Sequence, residues 1–176
     1  MAQSMVTNIF SKFKSCAKPA YPVPAAIWQR PLYFIAFGFG SGAIPCAPGT
    51  FGTLLAIPFY LLLQHLPPVL YITFVVLFCA ASMWISERVS NEIKVHDHPG
   101  MNLDEFAGFF VTMIFAPVGW QWIVLGFLLF RLFDIWKPWP INWLDEKIQG
   151  GFGMVIDDIV AGLFSFVVIQ LIKLFV

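Results

Sequence analysis

Asp104, Glu105, Asp134, Asp157 and Asp158 are the carboxylates of this chain best placed to do chemistry, and Arg131 and Lys137 are the cations set among them. Asp104 and Glu105 open one apolar run, Arg131, Asp134 and Lys137 recur at every third position, and Asp157 and Asp158 open the last apolar run. On a helix, residues three or four apart share a face, so Arg131, Asp134 and Lys137 form one stripe. Arg presents a planar fork matched to phosphate oxygens, Lys a compact charge, and an Asp between them stays ionised and able to hold a metal. Adjacent carboxylates repel unless a cation intervenes, and hard oxygen ligands suit Mg²⁺ or Mn²⁺. Plainer readings compete: an interfacial salt-bridge cluster with Trp136 and Trp139 as membrane anchors, or acids that simply favour the first turn of a helix.

Two other stretches carry polar residues at suggestive spacing. Gly38, Gly40, Ser41, Gly42, Pro45, Pro48, Gly49, Thr50, Gly52 and Thr53 read as a glycine-rich approach to a helix, with Thr50 or Thr53 as cap. Such a helix start can hold an anion, or be no more than a turn; it lacks the Lys of a nucleotide-binding loop. His96 and His98, before the Pro99-Gly100 turn, are either ligands for substrate or metal or solvated loop. Cys16, Cys46 and Cys79 show no metal-ligand spacing, no disulfide framework and no cysteine-phosphatase loop, and Cys79 reads as packing.

The elements that position these groups belong to a membrane. Hydrophobic residues make up 59% of the chain and charged residues 11%, with a mean hydropathy of +0.80, against roughly 25% charge in a soluble domain. The apolar runs do not alternate with polar residues as barrel strands do, so the predicted class is all-α: a polytopic helical bundle. Runs fall at 32–44, 54–65, 69–85, 106–122, 123–133 and 156–176, and only the last reaches the roughly 20 residues of a full crossing. The short runs are predicted to pair as antiparallel hairpins over 54–85 and 106–133, beside one long C-terminal transmembrane helix. Each hairpin returns the chain to its starting side, so 43–53, 87–105 and 131–158 gather at one membrane surface.

That surface is expected to be cytoplasmic. All ten acids lie between Glu87 and Asp158, while Lys12, Lys14, Lys18 and Arg30 make the N-terminus basic, and basic segments stay inside. Val6, Ile9, Phe10 and Phe13 at helical spacing predict a basic amphipathic segment over 1–30 lying on anionic lipid, with a membrane-embedded domain over 31–176. Glu87, Glu92, Asp145 and Glu146 read as solvated loop charge.

The strings GFGSGAIPCAPGTFGTL, HDHPGMNLDEFAGFF, FRLFDIWKPWPINWLD and GGFGMVIDDIVAG closely resemble the bacterial phosphatidylglycerophosphatase A family, in matching order over residues 37–162. The resemblance implies a Mg²⁺-dependent, multi-pass enzyme of the bacterial inner membrane that removes the terminal phosphate of phosphatidylglycerophosphate. Its partners would be that substrate and membrane lipids, with no nucleic acid. The family positions are Gly49, Thr50, Asp104, Glu105, Gly108, Arg131, Asp134, Lys137, Pro138, Asp157, Asp158 and Gly162.

On this reading Glu105, Asp134 and Asp158 are the metal ligands, and Asp104 and Asp157 are further ligands or the general base. Gly49, Thr50, His96, Arg131 and Lys137 bind substrate, with the two cations stabilising phosphoryl charge. An aspartyl-phosphate on Asp134 is the alternative to direct attack by water. Another class of function is a small ion-coupled transporter subunit using buried acids, although the hairpins show no repeat. The DGxxAR run of a CDP-alcohol phosphotransferase and the SGH stretch of the other common membrane phosphatases are both absent. For the predicted orientation, Lys147→Cys should react with a membrane-impermeant maleimide only after the cell is opened.

Overall fold

The computed structural model describes residues 22–95, 98–148 and 150–175, and among these there is no strand. After a 3-10 turn at Ala25–Trp28 come α1 (Pro31–Ala36), a second 3-10 segment (Gly38–Ala43), α2 (Pro48–Leu63) and α3 (Pro68–Ile93). Then follow α4 (Leu103–Thr112), α5 (Trp120–Trp136), α6 (Ile141–Lys147) and α7 (Gly150–Lys173). The chain is thus all-helical, as expected. Pro31, Pro48 and Pro68 each start a helix, where the missing N–H costs nothing. Helices α3 and α5 stop at lysines in the left-handed conformation, Lys94 (φ 56°) and Lys137 (φ 44°).

Among the described residues, two helices are long and apolar enough to cross a membrane: α3, with 26 residues, and α7, with 24. The first exceeds the expected run because the mostly polar stretch from Ser86 to Ile93 continues the same helix. In α3 only 28% of the most apolar window is buried inside the protein, and in α7 39%, whereas the core helix of a soluble protein is mostly enclosed. Val69, Val76, Leu77 and Trp84 of α3 and Leu163, Val167 and Leu171 of α7 face outward instead, as lipid contact requires. The apolar run at 32–44 does not span. It breaks into α1 and the 3-10 segment, where Phe39 (φ 54°) and Gly40 (φ 91°) turn left-handed. The amphipathic N-terminal helix lies outside the described residues, as do His96 and Asp97.

The hairpins differ from expectation in their packing. Helices α2 and α3 meet near their connecting turn, where the rings of Tyr60 and Tyr71 touch, but α4 packs against both. Phe109 meets Tyr60 on one side, and Phe110 meets Phe74 and Phe78 on the other. The organising helix is α7, which contacts α3, α4, α5 and α6. At one pole Gln170 and Lys173 bond the carbonyls of Ile114 and Phe115, and at the other Arg131 meets Glu105 and Lys137 meets Asp157. The helices therefore alternate in direction, and the acid-bearing ends share a pole. Cys46 is disulfide-bonded, contrary to the reading of scattered thiols, and Cys79 is a buried free thiol.

Close approach of α4 to α7 rests on missing side chains. A Cβ at Gly162 would strike the carbonyl of Gly108, and one at Gly108 would strike the Phe130 ring and the carbonyl of Asp158. The Thr112 hydroxyl donates to the Gly108 carbonyl at 2.9 Å within α4 and reaches across the contact to the Gly162 carbonyl at 3.5 Å. Backbone cannot yield as a flexible side chain can. Gly162→Ala should therefore lower the unfolding free energy in detergent by about 1–3 kcal/mol, read from denaturant or thermal midpoints.

Candidate active site

Each of the five carboxylates comes from the first turns of α4 or α7 or from the last turns of α5. Asp104 and Glu105 begin α4, where acids suit the helix dipole. Asp157 and Asp158 lie two turns into α7 and are 6% and 4% exposed. One oxygen from each of Asp104, Glu105 and Asp158 lies within 4.8 Å of the others. Oxygens held by one cation at about 2.0–2.6 Å are separated by up to about 5 Å, so this trio could share an ion. Asp134 was expected in that set, yet it is not part of the closest trio. Its carboxylate pairs with Arg131 at 2.8 Å across the predicted i,i+3 stripe, while remaining beside Asp158.

Arg131 also approaches Glu105 at 3.8 Å, so the guanidinium bridges α5 and α4. Burial pushes the Glu105 carboxyl up to about 7; its contact with Asp104 and the charge of Arg131 oppose that rise, and the charge of Asp134 adds to it. A buried carboxylate in this condition takes a proton or a cation. Glu105 Oε2 and Asp157 Oδ1 are buried oxygens without a hydrogen-bond partner, which is where a metal-binding site has its open valences. The donor set, carboxylate oxygens without nitrogen or sulfur, fits Mg²⁺ or Mn²⁺.

Lys137 ends α5 in a conformation that non-glycine residues seldom adopt, at a cost of about 1–3 kcal/mol. Its ammonium reaches Asp157 at 2.7 Å and Asp145 of α6 at 3.0 Å. Burial by itself depresses the Lys137 pKa, but the two carboxylates outweigh it and the net shift is upward. The lysine is thus a fixed positive charge between α6 and α7.

Gly49 and Thr50 stand in the first turn of α2, and Gly49 lies directly against this centre. A Cβ at Gly49 would run into Glu105 Oε1 and crowd the Arg131 guanidinium. Neither Thr50 nor Thr53 caps the helix; Ala47, left-handed at φ 49°, holds that position. Thr53 instead donates to the carbonyl of Gly49. His98 is not brought to the site: it is buried with its ring against Phe37, and its Nδ1 accepts from the Gly100 N–H. His96 lies outside the described residues.

Sequence reasoning missed three residues around the centre. Fully buried Asn102 donates from Nδ2 to Ser41 and to the carbonyl of Pro48, and its N–H donates to Ala36, tying the glycine-rich segment to the start of α4. Its place before an acid-led helix suggests an ordinary cap, but its partners are remote in sequence. Glu87, read as loop charge, lies on α3 and accepts from the N–H of Gly151, capping α7 from another helix. Asp145 is no solvated loop acid either, since it holds Lys137. Glu92 likewise gathers Arg30, Arg88 and Tyr33.

Residues 34–173 match the family described as Phosphatidylglycerophosphatase A. The chain is 44% identical over 138 residues to Phosphatidylglycerophosphatase A of Escherichia coli strain K12, covering 78% of this chain and 80% of that protein. It is 39% identical over 146 residues to the protein of the same name from Haemophilus influenzae, covering 82% and 90%. No solved structure matches. The obstruction at Gly49 is the far end of a side chain, so the fold can absorb it and the site cannot. Gly49→Ala should keep its unfolding midpoint while losing about tenfold or more in kcat/KM, measured side by side with the parent.

Proposed function

The chain belongs to the phosphatidylglycerophosphatase A family, and on that premise we propose that it hydrolyses phosphatidylglycerophosphate to phosphatidylglycerol and inorganic phosphate. The observation that carries the mechanism is the meeting of the Asp104, Glu105 and Asp158 oxygens beside Arg131 at one pole of an apolar bundle. These three residues would hold a divalent cation, Mg²⁺ by preference, with Asp134 close enough to join them. When bound, that cation supplies charge neutralisation and Lewis acidity.

The remaining chemistry falls to the protein's own groups. The guanidinium of Arg131 and the first turn of α2 at Gly49 and Thr50 bind the terminal phosphate oxygens. Lys137 stabilises the charge that builds on them as the ester breaks. Asp157 takes the proton of the attacking water at Oδ1, the oxygen that makes no hydrogen bond in the protein. The water oxygen bonds to phosphorus, the bond from phosphorus to the glycerol oxygen breaks, and that oxygen leaves with the proton as the alcohol of phosphatidylglycerol.

The location follows from the same chemistry. A polytopic protein of the bacterial inner membrane with its acid-bearing pole at the cytoplasmic face would meet a lipid phosphate at headgroup depth while the acyl chains stay in the bilayer. The outward apolar faces of α3 and α7 support this reading. The rival reading of an ion-coupled transporter subunit loses its ground, since both relatives carry enzyme names.

Detergent-purified protein should release phosphate from phosphatidylglycerophosphate in the presence of Mg²⁺ and lose that activity with chelator. Asp158→Asn should lower kcat by about a hundredfold and weaken Mn²⁺ binding, followed by electron paramagnetic resonance, about tenfold or more. No release by the parent sinks the assignment, and an Asp158→Asn variant that binds Mn²⁺ like the parent removes Asp158 from the ligand set.

A further inference from the structure

Helix α6 has two anchors of different kinds. Its first residue, Ile141, is fully buried, and the Ile141 N–H donates to the carbonyl of Pro138 at 2.7 Å. One turn later Asp145 emerges at the surface, with its side chain 44% exposed, and reaches back to the Lys137 ammonium at 3.0 Å. The Lys137 side chain is only 30% exposed, and its ammonium bonds Asp157 on its other side, at 2.7 Å. The packing of Ile141 accounts for how α6 is held. An ion pair with one half-exposed partner adds little to that.

The placement of Asp145 has an electrostatic cost in a site for anions. A carboxylate at the rim of a phosphate site repels its ligand unless its charge is spent on a cation that the site needs. Lysine is a long, flexible carrier of charge, and its ammonium has three hydrogens to donate. Two go to Asp157 and Asp145, which fixes the nitrogen from both sides and leaves one hydrogen for a phosphate oxygen.

Resting on the phosphatase reading above, we propose that Asp145 is a positioning residue for catalysis, acting through Lys137. It holds the ammonium between α6 and α7, where it meets the phosphoryl group as charge develops. A cation held in advance lowers the barrier more than it tightens ground-state binding, so the effect belongs in kcat.

The test compares Asp145→Asn and Asp145→Glu with the parent in steady-state phosphate release from phosphatidylglycerophosphate, with unfolding midpoints measured on the same preparations. Asp145→Asn should lower kcat about tenfold with KM within about twofold and an unchanged midpoint, and Asp145→Glu should recover most of the rate. Parental kcat in Asp145→Asn, an effect confined to KM, or a loss that Glu does not recover would each overturn the proposal. An inactive parent overturns the phosphatase reading and this inference with it, which separates the two failures.

Discussion

Asp104, Glu105, Asp134, Asp157 and Asp158 crowd against Arg131 and Lys137 at one pole of an apolar bundle, where water is scarce and carboxylates outnumber cations. Charge in such a place must be paired, protonated or bound to metal, because unpaired ions are costly to bury. Two acids are paired directly: Asp134 with Arg131, and Asp157 with Lys137. Oxygens of Asp104, Glu105 and Asp158 meet within 4.8 Å, and the Glu105 carboxyl rises to about 7 as burial outweighs the Arg131 guanidinium 3.8 Å away. On the proposed reading, a divalent cation would relieve this imbalance.

The fold is arranged to let the acids approach. Glycine permits the approach at two levels: Gly49 brings the start of α2 against Glu105 and Arg131, while Gly108 and Gly162 bring α4 against α7. The aromatic residues of α4 fill the space between α2 and α3, so this ten-residue helix is a wedge that carries two acids at its tip. Asn102 then fastens that tip to the glycine-rich segment through its side-chain Nδ2, which donates to Ser41 and to the Pro48 carbonyl. Short helices suffice because the wedge is enclosed by longer ones.

Around the centre, polar residues that look like surface charge hold it together. Glu87 caps α7 from α3, so the helix bearing Asp157 and Asp158 is fixed at its start by a neighbour. Asp145 and Asp157 grip Lys137 from two helices, and Arg131 spans α4 and α5. Each of these bonds joins different helices, and each lies at the pole where the reaction would occur.

The acid and basic residues, the all-helical class and the gathering of polar stretches at one pole were legible in the sequence. Their types are tied to solvation energy, their spacing to helix periodicity, and both are local properties of the chain. The extension of α3 was partly hidden, because the helix continues through mostly polar residues beyond the point where the apolar run ends. What only the tertiary structure decided is which groups meet. It put Asp104 with Glu105 and Asp158 and kept Asp134 on its arginine; it set α4 between α2 and α3, buried His98, and gave Glu87, Asn102 and Asp145 partners on other helices. Those pairings depend on helix rotation and close approach, which packing across distant segments determines and no local spacing records.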